Sequence, residues 1–190
     1  MIRSLTIFDI DDTLFRTTTK IHIVKNNRRI MSLSTAEYNV YKLKPGETHD
    51  LSDFGSAKHF YDEAKPVENV FHIAKRIMAK LIGPNKKFII VTARADLDDK
   101  DLFLATFHKY GFPIDRSHIH RAGNTGLPSS EAKKLIISNE LLNASKPYDI
   151  VRMFDDDRRN LSTFLRLKDD FPRVKFEALL INSDGTISRV

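Results

Sequence analysis

The chain contains no cysteine among its 190 residues. This absence excludes disulfide bonds, thiolate metal ligands and cysteine nucleophiles, and it is typical of proteins from a reducing compartment. Long hydrophobic runs are also missing from the start of the chain, because Asp9, Asp11 and Asp12 interrupt its apolar residues. Residues 1–15 therefore predict neither a signal peptide nor a membrane span. We expect a cytoplasmic protein with no membrane partner.

Internal repeats and low-complexity segments are absent as well, and 190 residues fit the usual length of one domain. Apolar residues make up 41% of the chain and charged residues 29%, which is typical of a soluble globular protein with a buried core. Acidic residues are outnumbered, since 25 Asp and Glu stand against 31 Lys and Arg, for a formal net charge of +6. This excess favours polyanionic partners without identifying one.

Short apolar runs rich in branched and aromatic residues alternate with amphipathic stretches. The runs predict five strands, the last of them weaker, at residues 5–8, 87–91, 149–154, 176–181 and 117–120. The stretches predict four helices, at residues 66–82 with a stop at Gly83 and Pro84, 98–110, 129–143 with Ser129 as the N-cap, and 161–171. Strands that alternate with helices form parallel crossover units. We therefore predict an α/β, Rossmann-like protein with a mostly parallel five-stranded sheet and helices on both faces.

One segment, residues 16–65, does not fit this alternation because it contains no long apolar helix. It is predicted to contain, in order, a β-hairpin at residues 21–33, a helical turn at 34–38 and a polar loop at 43–53. Asn26 and Asn27 favour the hairpin, since Asn tolerates the positive φ of a tight turn. Residues 16–36 carry five basic side chains and no acidic one. We predict a single domain over the whole chain, with residues 16–65 as a small hairpin and loop insertion, called the insertion below.

Carboxylates come in two tight runs, Asp9 to Asp12 and Asp155 to Asp157. Each run follows a predicted strand, and ligands of parallel sheets bind beyond the carboxyl ends of the strands. Close carboxylates repel each other, so they need a shared proton or a metal cation. Mg²⁺ takes oxygen ligands and usually keeps several waters, so two or three protein oxygens suffice. A single run is also explained as an N-cap cluster, but two runs at one edge of a sheet favour a cation.

Four motifs, in order along the chain, resemble those of the haloacid dehalogenase-like superfamily of phosphatases. The first is the apolar strand followed by Asp9-Ile10-Asp11-Asp12-Thr13, and the second is the apolar strand that ends in Thr92. Lys133 and Lys134 lie on a predicted helix where the third motif has its lysine, and the run Asp155 to Asp157 is similar to the paired-acid form of the fourth motif. The resemblance covers essentially the whole chain outside the insertion.

The resemblance implies a Mg²⁺-dependent phosphatase and a role for each motif residue. Asp9 would be the nucleophile that forms an aspartyl-phosphate, and Asp11 would act first as general acid and then as general base. Mg²⁺ would be held by Asp9, the backbone carbonyl of Asp11 and Asp155, with Asp156 binding directly or through water. Thr92 would donate a hydrogen bond to a phosphate oxygen, and a lysine would neutralise the developing negative charge.

Four further residues are candidates for the site, with an alternative for each. Lys133 and Lys134 cannot both be the motif lysine, and Lys133 is favoured because it lies nearer the start of its helix. Thr13 is a candidate for phosphate binding, and a turn-forming role is the alternative. Arg94 is a candidate for substrate binding, and a place on the surface is the alternative. The seven histidines show no metal-ligand spacing.

The substrate is expected to be a phosphorylated molecule, since the resemblance implies that dehalogenases lack an acid at the position of Asp11. Insertions after the first motif act as caps in this superfamily, and residues 16–65 predict a cap too small to seal the site. An open cleft beside basic residues, Arg28 and Arg29 among them, would attract a polyanion and bind it. A nucleic-acid 3′-phosphate end is the substrate that we favour, because the motifs also resemble polynucleotide 3′-phosphatase domains.

Other substrates and one other class of function remain as alternatives. A nucleotide, a sugar phosphate or a phosphoprotein would suit the same chemistry, and no aromatic run accompanies the basic residues to stack on bases. A phosphate-binding module without turnover is the alternative from another class. The complete set of acidic residues argues against it, because a module that only binds phosphate does not need to hold those carboxylates together.

Overall fold

The computed structural model describes residues 2–80 and 85–190. Its strands are, in chain order, β1 (Ser4–Phe8), β2 (Phe15–Arg16), β3 (Ile21–Lys25), β4 (Arg28–Leu33), β5 (Glu47–Asp50), β6 (Lys65–Pro66), β7 (Lys86–Thr92), β8 (His118–Arg121), β9 (Ile150–Asp155), β10 (Lys175–Ile181) and β11 (Ile187–Arg189). Its α-helices are α1 (Thr35–Val40), α2 (Ala57–Glu63), α3 (Glu68–Ala79), α4 (Lys100–Lys109), α5 (Ser129–Leu142), α6 (Arg158–Leu165) and α7 (Leu167–Asp170).

The central sheet of the described chain has six strands, in the order β11-β10-β9-β1-β7-β8. The strands from β10 to β8 are parallel to their neighbours, whereas β11 pairs antiparallel with β10. The predicted α/β architecture with a mostly parallel sheet is therefore confirmed. The predicted number of five strands is wrong, because β11 adds an edge strand of three residues, too short to show an alternating pattern. A turn at Gly185, whose φ is +82°, returns the chain to β10.

Successive side chains of β1 point to opposite faces of the sheet and enter two separate hydrophobic clusters. Leu5 and Ile7 pack in one cluster with residues of α5 and α6, such as Ile137. Phe8 packs in the other cluster with residues of α3 and α4, such as Phe71 and Phe103. Helices therefore cover both faces of the sheet, as the sequence predicts. Burial on both faces explains why these strands appear in the sequence as continuous apolar runs.

Two helices differ from their predicted boundaries. The described part of α3 ends at Ala79, and the predicted stop at Gly83 and Pro84 lies outside the described residues. The predicted N-cap of α5 is wrong by one position, because Pro128 takes the extended backbone of the cap and Ser129 is already the first helical residue. None of the helices that the structure describes is long and apolar enough to cross a membrane.

The predicted helix at residues 161–171 begins earlier and divides in two. Asp157 is the N-cap, and its carboxylate accepts a hydrogen bond of 2.8 Å from the backbone N–H of Arg159. The helix is interrupted at Arg166, which lies between α6 and α7. The apolar repeat starts only at Leu161, so the polar first turn of α6 carries no periodic signal in the sequence.

The insertion leaves and rejoins the core at an antiparallel pair, β2 and β6. Inside it, β3 and β4 form the predicted hairpin, with φ values of 49° at Asn26 and 56° at Asn27, and α1 takes the place of the predicted helical turn. The predicted polar loop at residues 43–53 is wrong, because β5 pairs with β3 and completes a three-stranded sheet. No residue of β5 is apolar, so this strand depends on pairing with β3 rather than on a hydrophobic pattern.

The insertion packs on the core through α2. The ring of Phe60 lies 5.5 Å from that of Phe15, 5.3 Å from Phe103 and 6.2 Å from Phe107, measured between centroids. Aromatic pairs at these distances stabilise a contact beyond the burial of their area. This packing places the insertion beside the loops that follow β1 and β7.

Candidate active site

Three neighbouring strands of the central sheet end at one place. Asp9 directly follows β1, Thr92 ends β7 and Asp155 ends β9. β1 lies between the other two strands, and the backbone N–H of Asp9 donates a hydrogen bond of 3.0 Å to the carbonyl of Phe154. The parallel register therefore brings the two acidic runs together at the carboxyl edge of the sheet, where ligands of such sheets bind.

Three carboxylates form a compact cluster at this edge. Asp9, Asp155 and Asp156 each offer one oxygen, and these three oxygens lie within 4.8 Å of one another. Asp9 and Asp155 are buried, with 5% and 0% of their surface exposed. An all-oxygen set at one point suits a hard cation such as Mg²⁺. The residues present therefore fit the cation that the sequence predicts.

The pKa values of two cluster members are raised. Burial is the largest cause at Asp9 and raises its pKa to about 7, with Asp155 adding to the effect and Lys133 opposing it. Burial also raises the pKa of Asp156 to about 9, reinforced by the charges of Asp155 and Asp9. Ionised carboxylates in such surroundings need a nearby positive charge, because removal from water penalises the charged form. A divalent cation would supply that charge.

Lys133 is the lysine that reaches the cluster. Its Nζ donates hydrogen bonds of 2.9 Å to Asp9 and 2.7 Å to Asp155, and only 2% of its side chain is exposed. Burial alone would lower the pKa of Lys133, but the charges of the two aspartates raise it. Lys134 points elsewhere and lies 3.8 Å from Asp170 on the surface. Successive residues of a helix are about 100° apart, so only one of two adjacent lysines can face the sheet.

Asn160 is a member of the site that the sequence analysis missed. Its Nδ2 donates a hydrogen bond of 2.9 Å to Oδ1 of Asp155, which also accepts one of 2.9 Å from the backbone N–H of Asp157. Since Lys133 binds the other oxygen, both oxygens of Asp155 are held in place. The available signal is an amide side chain in the first turn of a helix that follows an acidic run.

Asp11 and Arg94 form a bidentate ion pair beside the cluster. Nε and Nη2 of Arg94 donate hydrogen bonds of 2.8 and 2.6 Å to the two carboxylate oxygens of Asp11. The side chain of Arg94 has no exposed surface, and that of Asp11 is 13% exposed. The sequence leaves both substrate binding and a surface position open for Arg94. The structure instead places its guanidinium in the interior, in contact with protein groups.

The two threonines of the predicted site are buried. Thr92 has no exposed surface, and its Oγ1 accepts a hydrogen bond of 3.2 Å from the backbone N–H of Arg94. Thr13 is equally buried, and its Oγ1 has no hydrogen-bond partner among the described residues. The backbone N–H of Thr13 donates to the carbonyl of Ile10, which agrees with the turn-forming role considered for it.

A cavity of about 300 Å³ opens beside the cluster, between the core and the insertion. It is lined by hydroxyl, amide and charged groups, which include those of Asp156, Asp12, Arg16, Lys20, Thr17 and Asn182. None of the described residues that line it is aromatic. A larger cavity of about 560 Å³ lies along β8, and no predicted site residue lines it.

Arg28 and Arg29 do not line the cavity beside the cluster. Both are exposed on β4, and Nη2 of Arg29 lies 3.4 Å from a carboxylate oxygen of Asp50 on the neighbouring part of the insertion. They would therefore meet only a substrate that extends beyond the cavity.

Without a divalent cation, the free energy of unfolding is expected to fall by roughly 2 kcal/mol between pH 7 and pH 9. The raised pKa of Asp156, about 9 against an ordinary 3.8, means that the folded protein binds a proton that the unfolded chain has released. This stabilisation is lost as pH rises toward the folded-state pKa. Mg²⁺ in excess is expected to remove most of this pH dependence. Urea unfolding at both pH values, in EDTA and in Mg²⁺, measures the effect.

The Asp156→Asn variant isolates the carboxylate responsible. In EDTA, its free energy of unfolding is expected to change little between pH 7 and pH 9. Mg²⁺ is expected to stabilise it less than the wild type. Asp170→Asn is the matched control, because Asp170 is exposed on α7 and should leave the wild-type behaviour unchanged. An equal pH dependence in wild type and Asp156→Asn would contradict the assignment.

Comparison with known proteins gives one informative similarity. No family model and no curated protein matches the chain. Among solved structures, the HAD domain of the effector protein Lem4 from Legionella pneumophila is similar to it, with 12% sequence identity and a TM-score of 0.53. The similarity covers 92% of this chain and 85% of that one. With its mostly parallel sheet and its acidic cluster at the carboxyl edge, the protein has the fold of a haloacid dehalogenase-like (HAD) domain.

Proposed function

We propose that the protein is a Mg²⁺-dependent phosphatase that hydrolyses a phosphate monoester through an aspartyl-phosphate on Asp9. One observation carries the proposal: Lys133 joins Asp9 and Asp155 at the ends of neighbouring parallel strands, with Asp156 completing the acidic cluster. A nucleophile, a cation-binding set and a fixed ammonium group are the parts that phosphoryl transfer to a carboxylate requires. The HAD-like fold agrees with this chemistry.

In the proposed first step, an oxygen of Asp9 attacks phosphorus as the bond from phosphorus to the leaving oxygen breaks. Asp11, in its protonated form, gives its proton to that oxygen and becomes the ionised partner of Arg94. In the second step, Asp11 takes a proton from a water molecule, whose oxygen attacks phosphorus and releases Asp9 and inorganic phosphate. When bound by Asp9, Asp155, Asp156 and the backbone carbonyl of Asp11, Mg²⁺ would offset the negative charges of nucleophile and phosphate.

The ammonium of Lys133 supports both steps of this mechanism from the protein side. It lies between Asp9 and Asp155, so it favours the ionised form of the nucleophilic carboxylate and holds it in place. It also supplies a positive charge close to the atoms on which negative charge develops. Thr92 lies at the end of the neighbouring strand β7, and its hydroxyl is proposed to donate a hydrogen bond to a phosphate oxygen.

For the substrate we propose a nucleic-acid 3′-phosphate end. The cavity beside the cluster carries hydroxyl and amide groups suited to a sugar, and Arg16 and Lys20 are suited to a further phosphate of the strand. The absence of aromatic residues from the described lining means that bases would stay outside it. The same lining would also suit a free sugar phosphate, which is the second candidate.

A substrate panel tests the proposal. The purified protein is incubated with Mg²⁺ or EDTA and with p-nitrophenyl phosphate, 3′- and 5′-phosphorylated oligonucleotides, nucleotides, sugar phosphates and a phosphopeptide, and released phosphate is measured. We expect release only with Mg²⁺, and fastest from the 3′-phosphorylated oligonucleotide. If no compound releases phosphate, the proposal of a phosphatase is overturned and a phosphate-binding module is favoured. Faster release from a sugar phosphate would overturn only the nucleic-acid substrate.

The double variant Arg28→Glu/Arg29→Glu tests whether the insertion helps to bind a long substrate. We expect kcat/KM for the oligonucleotide to fall roughly 10-fold at low salt, since two contacts that neutralise backbone phosphates become repulsive. Hydrolysis of p-nitrophenyl phosphate should not change. Lys168→Glu/Arg173→Glu is the matched control, because it makes the same charge change at exposed positions. These positions precede the N-terminal end of β10, whereas the candidate site lies at the carboxyl edge of the sheet. Equal oligonucleotide rates in both double variants would remove the proposed role of the hairpin.

A further inference from the structure

The guanidinium of Arg94 forms hydrogen bonds both with the core and with the insertion. Towards the core, Nε and Nη2 bind the two oxygens of Asp11. Towards the insertion, Nη1 donates a hydrogen bond of 2.9 Å to the backbone carbonyl of Phe54, and Nη2 lies 3.4 Å from Oγ1 of Thr19. The side chain is fully buried, and these contacts use four of the five N–H donors of the guanidinium.

Aromatic residues of the insertion enclose the same guanidinium. Its central carbon lies 5.1 Å from the ring centroid of Phe54 and 4.7 Å from that of Phe60, distances at which a cation is attracted to a ring. The loop that contains Arg94 makes a second contact with the insertion, in which Asp98 accepts a hydrogen bond of 2.7 Å from the backbone N–H of Ala57. The insertion and Asp11 are therefore fastened to one loop after β7.

A buried arginine among aromatic rings is not required for packing, because an apolar side chain of similar volume would fill the space without a desolvation cost. A guanidinium does one thing that such a side chain cannot do. Its planar fork holds both oxygens of a carboxylate and so fixes the direction of that carboxylate as well as its position. In this structure the carboxylate so held belongs to Asp11.

We infer that Arg94 is a positioning residue that orients Asp11 and couples this orientation to the placement of the insertion. The inference rests on the proposed function, in which Asp11 exchanges a proton with the leaving group. Arg94 then acts on the reaction only through Asp11, and not by contact with the phosphate. Thr19, Phe54 and Phe60 of the insertion hold the arginine in place. The orientation of Asp11 for proton transfer therefore depends on where the insertion lies.

Leaving-group dependence tests this role. We compare kcat/KM for p-nitrophenyl phosphate, whose leaving group needs little help from an acid, with that for phenyl phosphate, whose leaving group needs more. Arg94→Lys keeps the charge but loses the fork. We expect it to lower kcat/KM for phenyl phosphate roughly 10-fold more than for p-nitrophenyl phosphate, a part of what general acid catalysis contributes.

Two further variants separate positioning from other roles. In an Asp11→Asn background, Arg94→Lys is expected to change the ratio of the two kcat/KM values no further, because the group that it orients is gone. Arg121→Lys is the matched control, since the guanidinium of Arg121 also packs on a ring, 4.2 Å from the centroid of Phe103, but lies 3.9 Å from Asp96 rather than binding Asp11. It should leave the ratio at the wild-type value.

Two outcomes would overturn the inference. An equal loss for both phosphates in Arg94→Lys would indicate a structural role, and a further loss in the Asp11→Asn background would indicate direct contact with substrate. If the wild-type protein hydrolyses neither phosphate, the proposed function fails, and hydrogen exchange decides the coupling to the insertion. Faster exchange of residues 17–24 and 52–60 in Arg94→Lys than in Arg121→Lys would support this coupling, whereas equal exchange would refute it.

Discussion

The Asp9→Asn variant is expected to lose at least about 10⁴-fold in kcat for phosphate release, as enzymes do when the nucleophile is removed. An amide is a poor nucleophile and cannot form the acyl phosphate that splits the reaction into two steps. The substitution changes one atom of the side chain, so the fold and the packing of β1 should remain. Initial rates with p-nitrophenyl phosphate in excess Mg²⁺ measure the loss, and the far-ultraviolet circular dichroism spectrum checks the fold.

The intermediate itself can be sought in the wild-type protein. Acid quenching during turnover is expected to trap phosphate on the protein in a form that hydroxylamine releases, and Asp9→Asn should trap none. Asp157→Asn is the matched control, because Asp157 belongs to the second acidic run but serves as the N-cap of α6. It should keep its activity and lose less than about 1 kcal/mol of stability. Turnover by Asp9→Asn near the wild-type rate would rule out Asp9 as the nucleophile.

Replacement of Lys133 by Met is expected to reduce both activity and stability. Two carboxylates would remain in the interior without the ammonium that binds them, and breaking a buried pair in this way costs about 3–5 kcal/mol. The loss of a charge beside the reacting atoms should lower kcat by about 10²–10³-fold. Urea unfolding in EDTA measures the first effect, and initial rates in Mg²⁺ under folding conditions measure the second.

Lys134→Met is the matched control for Lys133→Met. Lys134 is on the same helix, one position further along, and its Nζ lies 3.8 Å from the surface residue Asp170. An exposed pair of this kind contributes about 0–1 kcal/mol, so stability and activity should stay near their wild-type values. Mg²⁺ is expected to restore part of the stability of Lys133→Met, because it compensates the same carboxylates. Equal losses in the two variants would contradict the assignment of Lys133 to the site.

The order of strands and helices was predictable because each buried strand carries its own apolar run. Four described strands lack such a run and were not predicted: β2 and β6 have two residues each, and β5 and β11 are the others. β5 is polar throughout and is formed by pairing with β3, and β11 is three residues long at the edge of the sheet. β5 pairs with β3, a strand distant in sequence, so no local pattern indicates it. β11 pairs with β10, the strand before it, but its three residues are too few to show an alternating pattern.

The convergence of Asp9 and Asp155 was predictable for a related reason. Parallel strands place their carboxyl ends at one edge of the sheet, so residues that follow two such strands become neighbours whatever their separation along the chain. The choice between Lys133 and Lys134 was not predictable in the same way. It depends on the rotation of α5 about its axis, which the packing of its buried face against the sheet determines.

The sequence by itself determined the α/β class, the mostly parallel sheet and the acidic runs at its edge, because strand and helix patterns and strand ends are local properties. The tertiary structure alone decided which partner each charged side chain meets. Arg94 shows the difference, because its place in the sequence, two residues after Thr92, suggests a loop cation open to ligand. Only the packing of the insertion on α4 encloses that cation and directs its Nε and Nη2 to Asp11. A charge in a protein interior is paired with whatever group the fold brings to it, since an unpaired charge there is strongly unfavourable.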